Sequence, residues 1–222
     1  EVWDDFKNDA ARYYAVLEPY FSIGISKKNP TNSLPAEIIK KIEGTELNLE
    51  NLKVSLRGWQ DFGAKYAIVQ KKVLIGDEMG LGKTIEAIAV MAHLSQEGKN
   101  TFIVVCPASI VINWMREIEK HSQLKPFMVH GSDRERSFHQ WQNEGGVAIT
   151  TYETIQRLNH DRLESIDLLV VDEAHYVKNP KAQRSQTIYS LTNRSENVLY
   201  MTGTPLENRL TEMINLVGRL QP

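Results

Sequence analysis

Val73-Leu74-Ile75-Gly76-Asp77-Glu78-Met79-Gly80-Leu81-Gly82-Lys83-Thr84-Ile85 is the stretch on which the fold turns. A short apolar run ends at Gly76, a glycine-containing loop closes on Lys83-Thr84, and a helix-prone segment runs from Glu86 to Ala92. Strand, loop and helix with Gly-Lys-Thr at the junction suit a bound triphosphate. Glycines let backbone N–H groups curl round phosphate oxygens, and the helix N-terminus adds partial positive charge. On this reading Asp77, Glu78, Met79, Gly80, Leu81 and Gly82 form the wall of the phosphate site. Lys83 reaches the β- and γ-phosphates, and the Thr84 hydroxyl is a Mg²⁺ ligand. The strict pattern wants glycine where Asp77 stands. Gly76 and Gly80 keep the loop flexible, so the loop is a variant. A plain glycine-rich turn would explain the glycines, but not Lys-Thr at a helix start.

Downstream, Leu168-Leu169-Val170-Val171 runs into Asp172-Glu173-Ala174-His175. An apolar strand ending in paired carboxylates is what a Mg-ATP site needs opposite its phosphate loop. Asp172 can hold Mg²⁺, partly through water, because that ion keeps much of its hydration. Glu173 can orient or deprotonate an attacking water. A lone Asp-Glu is more often a solvated strand end; its pairing with Gly-Lys-Thr upstream favours catalysis.

Between and around these motifs, short apolar runs alternate with helical patterns. Strands are expected at 73–76, 101–106, 127–130, 147–151, 167–172 and 197–202. Helices are expected near 84–97, 108–121, 133–143, 152–158, 181–192 and 206–219, and one before 73 that turns Trp59, Phe62, Tyr66 and Val69 inward. Near-continuous Val/Ile/Leu strands indicate a parallel sheet covered on both faces, with ligands at the carboxyl ends of its strands. The fold class is α/β, with a helical extension at residues 1–50 (helices at 1–20 and 34–43, Ser33 an N-cap) before a main domain at 51–222.

The 222 residues carry a formal net charge of −2, so no global basic field announces nucleic acid and any such contact must be local. Cys106 is the one cysteine, which excludes an internal disulfide and suits a reducing compartment. The apolar runs are too short to span a bilayer, so no membrane role is expected. His121, His130 and His139 lack metal-ligand spacing, and no zinc is assigned.

Taken together, the motifs resemble the superfamily-two helicase group, and within it the SWI/SNF-related family of DNA-translocating ATPases. Leu56-Arg57-x-x-Gln60 is similar to the adenine-side motif, and Cys106-Pro107-Ala108-Ser109-Ile110 with Asn113-Trp114 and Glu117 to motif Ia. Ile149-Thr150-Thr151-Tyr152-Glu153 resembles motif Ib, Lys178-Asn179 follows the Asp-Glu-Ala-His box as in that family, and Thr202-Gly203-Thr204-Pro205-Leu206-x-Asn208 resembles motif III. Tyr176 stands where relatives often carry a basic residue. The resemblance spans roughly residues 50–222, and no second-lobe motif is present.

That resemblance implies the first of two RecA-like (P-loop) lobes, with ATP in the cleft between them and an arginine supplied by the second. It implies adenine recognition by Gln60 with Arg57, catalysis by Lys83 and Glu173, and metal binding by Thr84 and Asp172. Coupling of nucleotide state to DNA grip falls to His175, Thr202, Gly203 and Thr204. The implied partner is double-stranded DNA held by its phosphate backbone, with Ser109, Thr151 and Tyr152 as candidate contacts; helix capping by Ser or Thr would explain the same residues. The implied setting is intracellular, cytoplasmic (nucleoid) in a prokaryote and nuclear in a eukaryote. A nucleotide-gated switch for a protein partner is the alternative; Glu173 argues against it, because a pure switch needs no water-activating carboxylate.

Overall fold

The computed structural model describes residues 36–76, 82–158, 163 and 165–203. The helices expected at 1–20 and 206–219, the loop residues Asp77 to Leu81, and Thr204 lie outside these residues.

Six parallel strands form one sheet. They are β1 (Lys72–Ile75), β2 (Thr101–Cys106), β3 (Pro126–Val129), β4 (Gly146–Thr151), β5 (Ile166–Asp172) and β6 (Ser195–Met201). Their spatial order is β1-β6-β5-β2-β4-β3, and every pairing is parallel. The helices are α1 (Ala36–Glu43), α2 (Gly58–Gln70), α3 (Lys83–Gln96), α4 (Val111–His121), α5 (Arg134–Glu144), α6 (Tyr152–Ile155) and α7 (Gln183–Arg194). Two 3₁₀ turns, Ala108–Ile110 and Ala174–Val177, follow β2 and β5.

Alternation along each strand divides the apolar residues between two layers. Ile103, Val105, Leu169, Val171, Val198 and Tyr200 pack with Phe138 and Trp141 of α5, Tyr152 and Ile155 of α6, and Ile188 and Leu191 of α7. Phe102, Val104, Leu168, Val170, Leu199 and Met201 face the other way, onto α3 and onto Val111, Trp114 and Ile118 of α4. Burial on both faces explains why the strands read as unbroken apolar runs. Each such side chain removed from water contributes about 1.5–3 kcal/mol.

One expectation is corrected. The inward face of α2 is Gln60, Ala64 and Ala67, whereas Trp59, Phe62, Tyr66 and Val69 are only half-buried. Small residues let α2 lie close against α3, whose Ala87 to Ala92 run is fully buried. Close approach outweighed side-chain size in choosing the face.

The segment before α2 straps across α3 and α4. Asn48 N–H donates to His93 Nδ1 (3.0 Å), Asn51 Nδ2 to Ser95 Oγ (2.7 Å) and Lys53 N–H to the His121 carbonyl (2.7 Å). Leu47, Leu49 and Leu52 pack on the layer beneath. Among the described residues no helix is long and apolar enough to cross a membrane.

Candidate nucleotide site

A parallel sheet brings all its strand ends to one edge, and register fixes their height. Ile75 of β1 and Asp172 of β5 both pair with Met201 of β6. The strand feeding the phosphate loop therefore ends level with Asp172, two strand spacings or roughly 10 Å away.

Beyond the loop, Gly82 caps α3 with φ 91°, in the left-handed region that suits glycine. Its carbonyl accepts the Ile85 N–H (2.9 Å) and, more weakly, the Glu86 N–H (3.3 Å). That leaves the first amides of α3 as helix-start donors without an intrahelical acceptor. A Cβ at position 82 would collide with Gln60 Nε2. Gln60 is buried, and its Oε1 accepts the Arg57 N–H at 3.0 Å. The structure thus sets Gln60, expected on the adenine side, directly against Gly82 at the start of α3. Arg57 is exposed, with its guanidinium 5.2 Å from the Trp59 ring centroid. Lys83 and Thr84 open the first turn of α3, both half-buried.

Asp172 is 8% exposed, and both its oxygens are engaged. Trp114 Nε1 donates to Oδ2 at 2.9 Å and the Glu173 N–H to Oδ1 at 2.9 Å. Burial lifts the Asp172 carboxyl above the usual carboxylate range, and the Glu173 charge adds to this. The Trp114 hydrogen bond and the Lys83 charge act in the opposite sense.

Glu173 turns the chain with φ 54° and ψ 54°, an unusual conformation for a residue with a Cβ. Its Oε2 lies 3.2 Å from His175 Nδ1 and 3.5 Å from the Gly203 N–H. Thr202 is buried, and its N–H donates to the Ile75 carbonyl at 3.0 Å. Thr202 and Gly203 thus run from the end of β1 to Glu173, whose carboxylate lies between His175 and Gly203.

The candidate nucleic-acid residues divide. Ser109 is exposed in the 3₁₀ turn after β2 and its side chain caps no helix. Thr151 is buried and does cap: its Oγ1 accepts the Thr154 N–H at 3.1 Å. Tyr152 is 1% exposed and donates its hydroxyl to the Asp172 carbonyl at 2.6 Å. The polar atom of the Tyr152 side chain is thus used inside the domain. Burial and the nearby Asp172 charge raise this phenol's pKa well above the ordinary range, so it stays a donor.

Two contacts were missed from sequence, the indole on Asp172 and the phenol on the Asp172 backbone. Both residues lie inside motifs already singled out. A buried Trp or Tyr with a polar tip needs a hydrogen-bond partner, and that was the available signal.

The donors present fit a magnesium nucleotide. Thr84 and Asp172 offer the hard oxygen ligands that ion takes, and the collision awaiting a Cβ at Gly82 marks a backbone held close to its neighbours. Among the described residues, no cluster of three or more His, Cys, Asp or Glu could hold a metal by itself.

Comparison with known proteins agrees with the geometry. The profile of the SNF2-related domain family matches residues 50–222. A cattle (Bos taurus) protein, SWI/SNF-related matrix-associated actin-dependent regulator of chromatin subfamily A containing DEAD/H box 1, is 37% identical over 187 residues; the match covers 78% of this chain and 18% of that protein. Helicase domino of Drosophila melanogaster is 33% identical over 231 residues, covering 99% of this chain and 7% of that one. Among solved structures, the Sulfolobus solfataricus SWI2/SNF2 ATPase core in complex with dsDNA superposes with a TM-score of 0.69 at 30% identity, covering 79% of this chain and 38% of that one. The chain therefore spans well under half the length of these relatives.

Proposed function

The chain belongs to the SNF2-related family, and from that premise we propose that it is the ATP-binding lobe of an ATP-dependent translocase on double-stranded DNA. In this reading residues 51–222 form the lobe, residues 1–50 a helical extension, and a second RecA-like lobe closes on the nucleotide. The observation that carries it is the shared register of Ile75 and Asp172 on Met201. The end of β1 and the Asp172–Glu173 pair stand level at the carboxyl edge of the sheet, which supports a shared nucleotide between them.

Each residue then has a task. Gln60, with Arg57 beside it, recognises adenine. Gly80, Gly82 and Lys83 hold phosphates, within a wall completed by Asp77, Glu78, Met79 and Leu81. Thr84 and Asp172 would hold Mg²⁺, which when bound supplies charge neutralisation on the β- and γ-phosphate oxygens. Trp114 keeps the Asp172 carboxylate in one orientation. Glu173 orients a water, or takes its proton, at Oε1 or Oε2. His175, Thr202, Gly203 and Thr204 pass the state of that carboxylate to the rest of the machine. Ser109 and the backbone at Thr151 meet DNA phosphates, which position the duplex without reading its sequence. Such a protein works where DNA is, in the nucleoid or the nucleus.

The transition state spreads negative charge over the γ-phosphoryl oxygens, and an arginine opposite the phosphate loop is worth ~10³–10⁵ in rate. With that arginine on the other lobe, these residues alone bind nucleotide and hydrolyse it very slowly. The test is steady-state ATP hydrolysis, with and without duplex DNA, by the two-lobed protein and by this chain. DNA stimulation only when both lobes are present is the expected result. Robust turnover by this chain alone would overturn the division of labour. A two-lobed protein indifferent to DNA would overturn translocation in favour of a nucleotide-gated switch.

A further inference from the structure

We propose that Tyr152 is a positioning residue: its hydroxyl locks the Asp172–Glu173 peptide in the left-handed turn that aims the Glu173 carboxylate. The inference rests on Glu173 being the water-orienting group.

The Tyr152 hydroxyl lies 2.6 Å from the Asp172 carbonyl and 3.3 Å from the Glu173 carbonyl. These oxygens flank the one residue at the strand end whose backbone is unusual. Among the described residues only Glu173 and Lys71 combine a Cβ with positive φ. Such a conformation persists only where the surroundings over-determine it, and it gathers at functional sites. The Asp172 carbonyl belongs to the peptide plane whose rotation sets φ of Glu173. The Glu173 carbonyl reports its ψ. A phenol bound to the first and near the second constrains both angles.

The phenol is itself fixed. Its ring is buried and stacks on Tyr176 at 5.4 Å between centroids, 14° from parallel. Tyr176 returns to the same turn, because its N–H donates to the Glu173 carbonyl at 3.0 Å. Its outer side carries the Arg184 guanidinium, 5.6 Å from the ring centroid. At the other end, Thr151 caps the turn on which Tyr152 begins α6. The result of this closed circuit is a Glu173 carboxylate held between His175 and Gly203. A phenylalanine would fill the same space, so the hydroxyl adds control of direction rather than volume.

Tyr152→Phe in the two-lobed protein is the test. The expected outcome is a DNA-stimulated kcat lowered about tenfold to a hundredfold, the range a misaimed reacting group can cost, with KM for ATP and the melting temperature nearly unchanged. A crystal structure of the variant should show residue 173 leaving positive φ. Tyr176→Ala, which frees the ring but keeps the phenol, should lower kcat in the same sense and by less. An unaltered kcat in both variants, or kcat and KM degraded together, would overturn the proposal, as would a Tyr152→Phe crystal with residue 173 still near φ 54°. Absence of hydrolysis by the wild-type protein would sink the reading of Glu173, whereas the backbone of residue 173 in the variant still decides what Tyr152 does.

Discussion

Trp114 Nε1 donates to Asp172 Oδ2 at 2.9 Å, across the gap between α4 and the end of β5. The carboxylate is buried, so losing this donor exposes the full desolvation penalty of an unsatisfied charged oxygen. Trp114→Phe should cost about 1–3 kcal/mol, read as a lower urea midpoint, and should weaken magnesium-nucleotide binding more than binding of nucleotide in chelator. A midpoint unmoved by the substitution would mean that the bond contributes nothing net.

Gly82 combines positive φ with contact against Gln60. Gly82→Ala should therefore incur both a left-handed penalty of roughly 1–2 kcal/mol and a collision. Adding Gln60→Ala removes the collision together with the bond that Gln60 Oε1 accepts from the Arg57 N–H, a loss that Gln60→Ala alone calibrates. Melting curves of the single and double variants separate the two effects, and a double variant no better than the single one would remove Gln60 from the account.

Cys106 should resist alkylation in the native state. Its thiol is fully buried, directed at the Thr150 carbonyl at 3.7 Å, and burial first and the Asp172 charge second push its pKa far above the thiol range. Thiolate is the reactive form, so labelling by an aromatic disulfide should track unfolding. Stoichiometric labelling within seconds in native buffer would contradict this.

Glu196 lies between Lys99 Nζ (2.8 Å) and Lys71 Nζ (3.1 Å) at the other edge of the sheet. Hydrogen bonds from these lysines, Lys99 first, hold its carboxyl below the usual range. A lowered folded-state pKa stabilises above the unfolded value of about 4.3, and that stability is lost as pH falls through the lower folded value. The side chain is 44% exposed, so solvent screening keeps the effect below about 1 kcal/mol. Glu196→Gln should lower stability at neutral pH by up to that much, leave the acid extreme nearly unaffected, and so flatten the acid limb of a stability–pH curve. An identical acid limb in the variant would show that the pair is screened out.

The strands were legible because burial on both faces leaves no polar positions to blur the pattern, as Phe102 to Cys106 illustrates. The ends of β1 and β5 were legible because the apolar runs stop abruptly, at Gly76 and at Asp172-Glu173. The inward face of α2 was not, because Ala64 and Ala67 give a weak apolar signal beside Trp59 and Phe62. The roles of Trp114 and Tyr152 were hidden for another reason. Both reach across the fold to residues far away in sequence, and only the register of β2, β4 and β5 brings them there.

The sheet order also has a consequence for biosynthesis. β1, which anchors the phosphate loop, finds its hydrogen-bonded neighbour only in β6, so Lys72 must wait for Val198. As the nascent chain leaves the ribosome, β2, β3, β4 and β5 can all assemble first. Long-range parallel pairing of this kind is slow and leaves an edge uncovered meanwhile. The β1 edge should therefore be the last part of the sheet that the emerging polypeptide completes, and a chain truncated just short of Ser195 would keep β2, β3, β4 and β5 without a neighbour for β1.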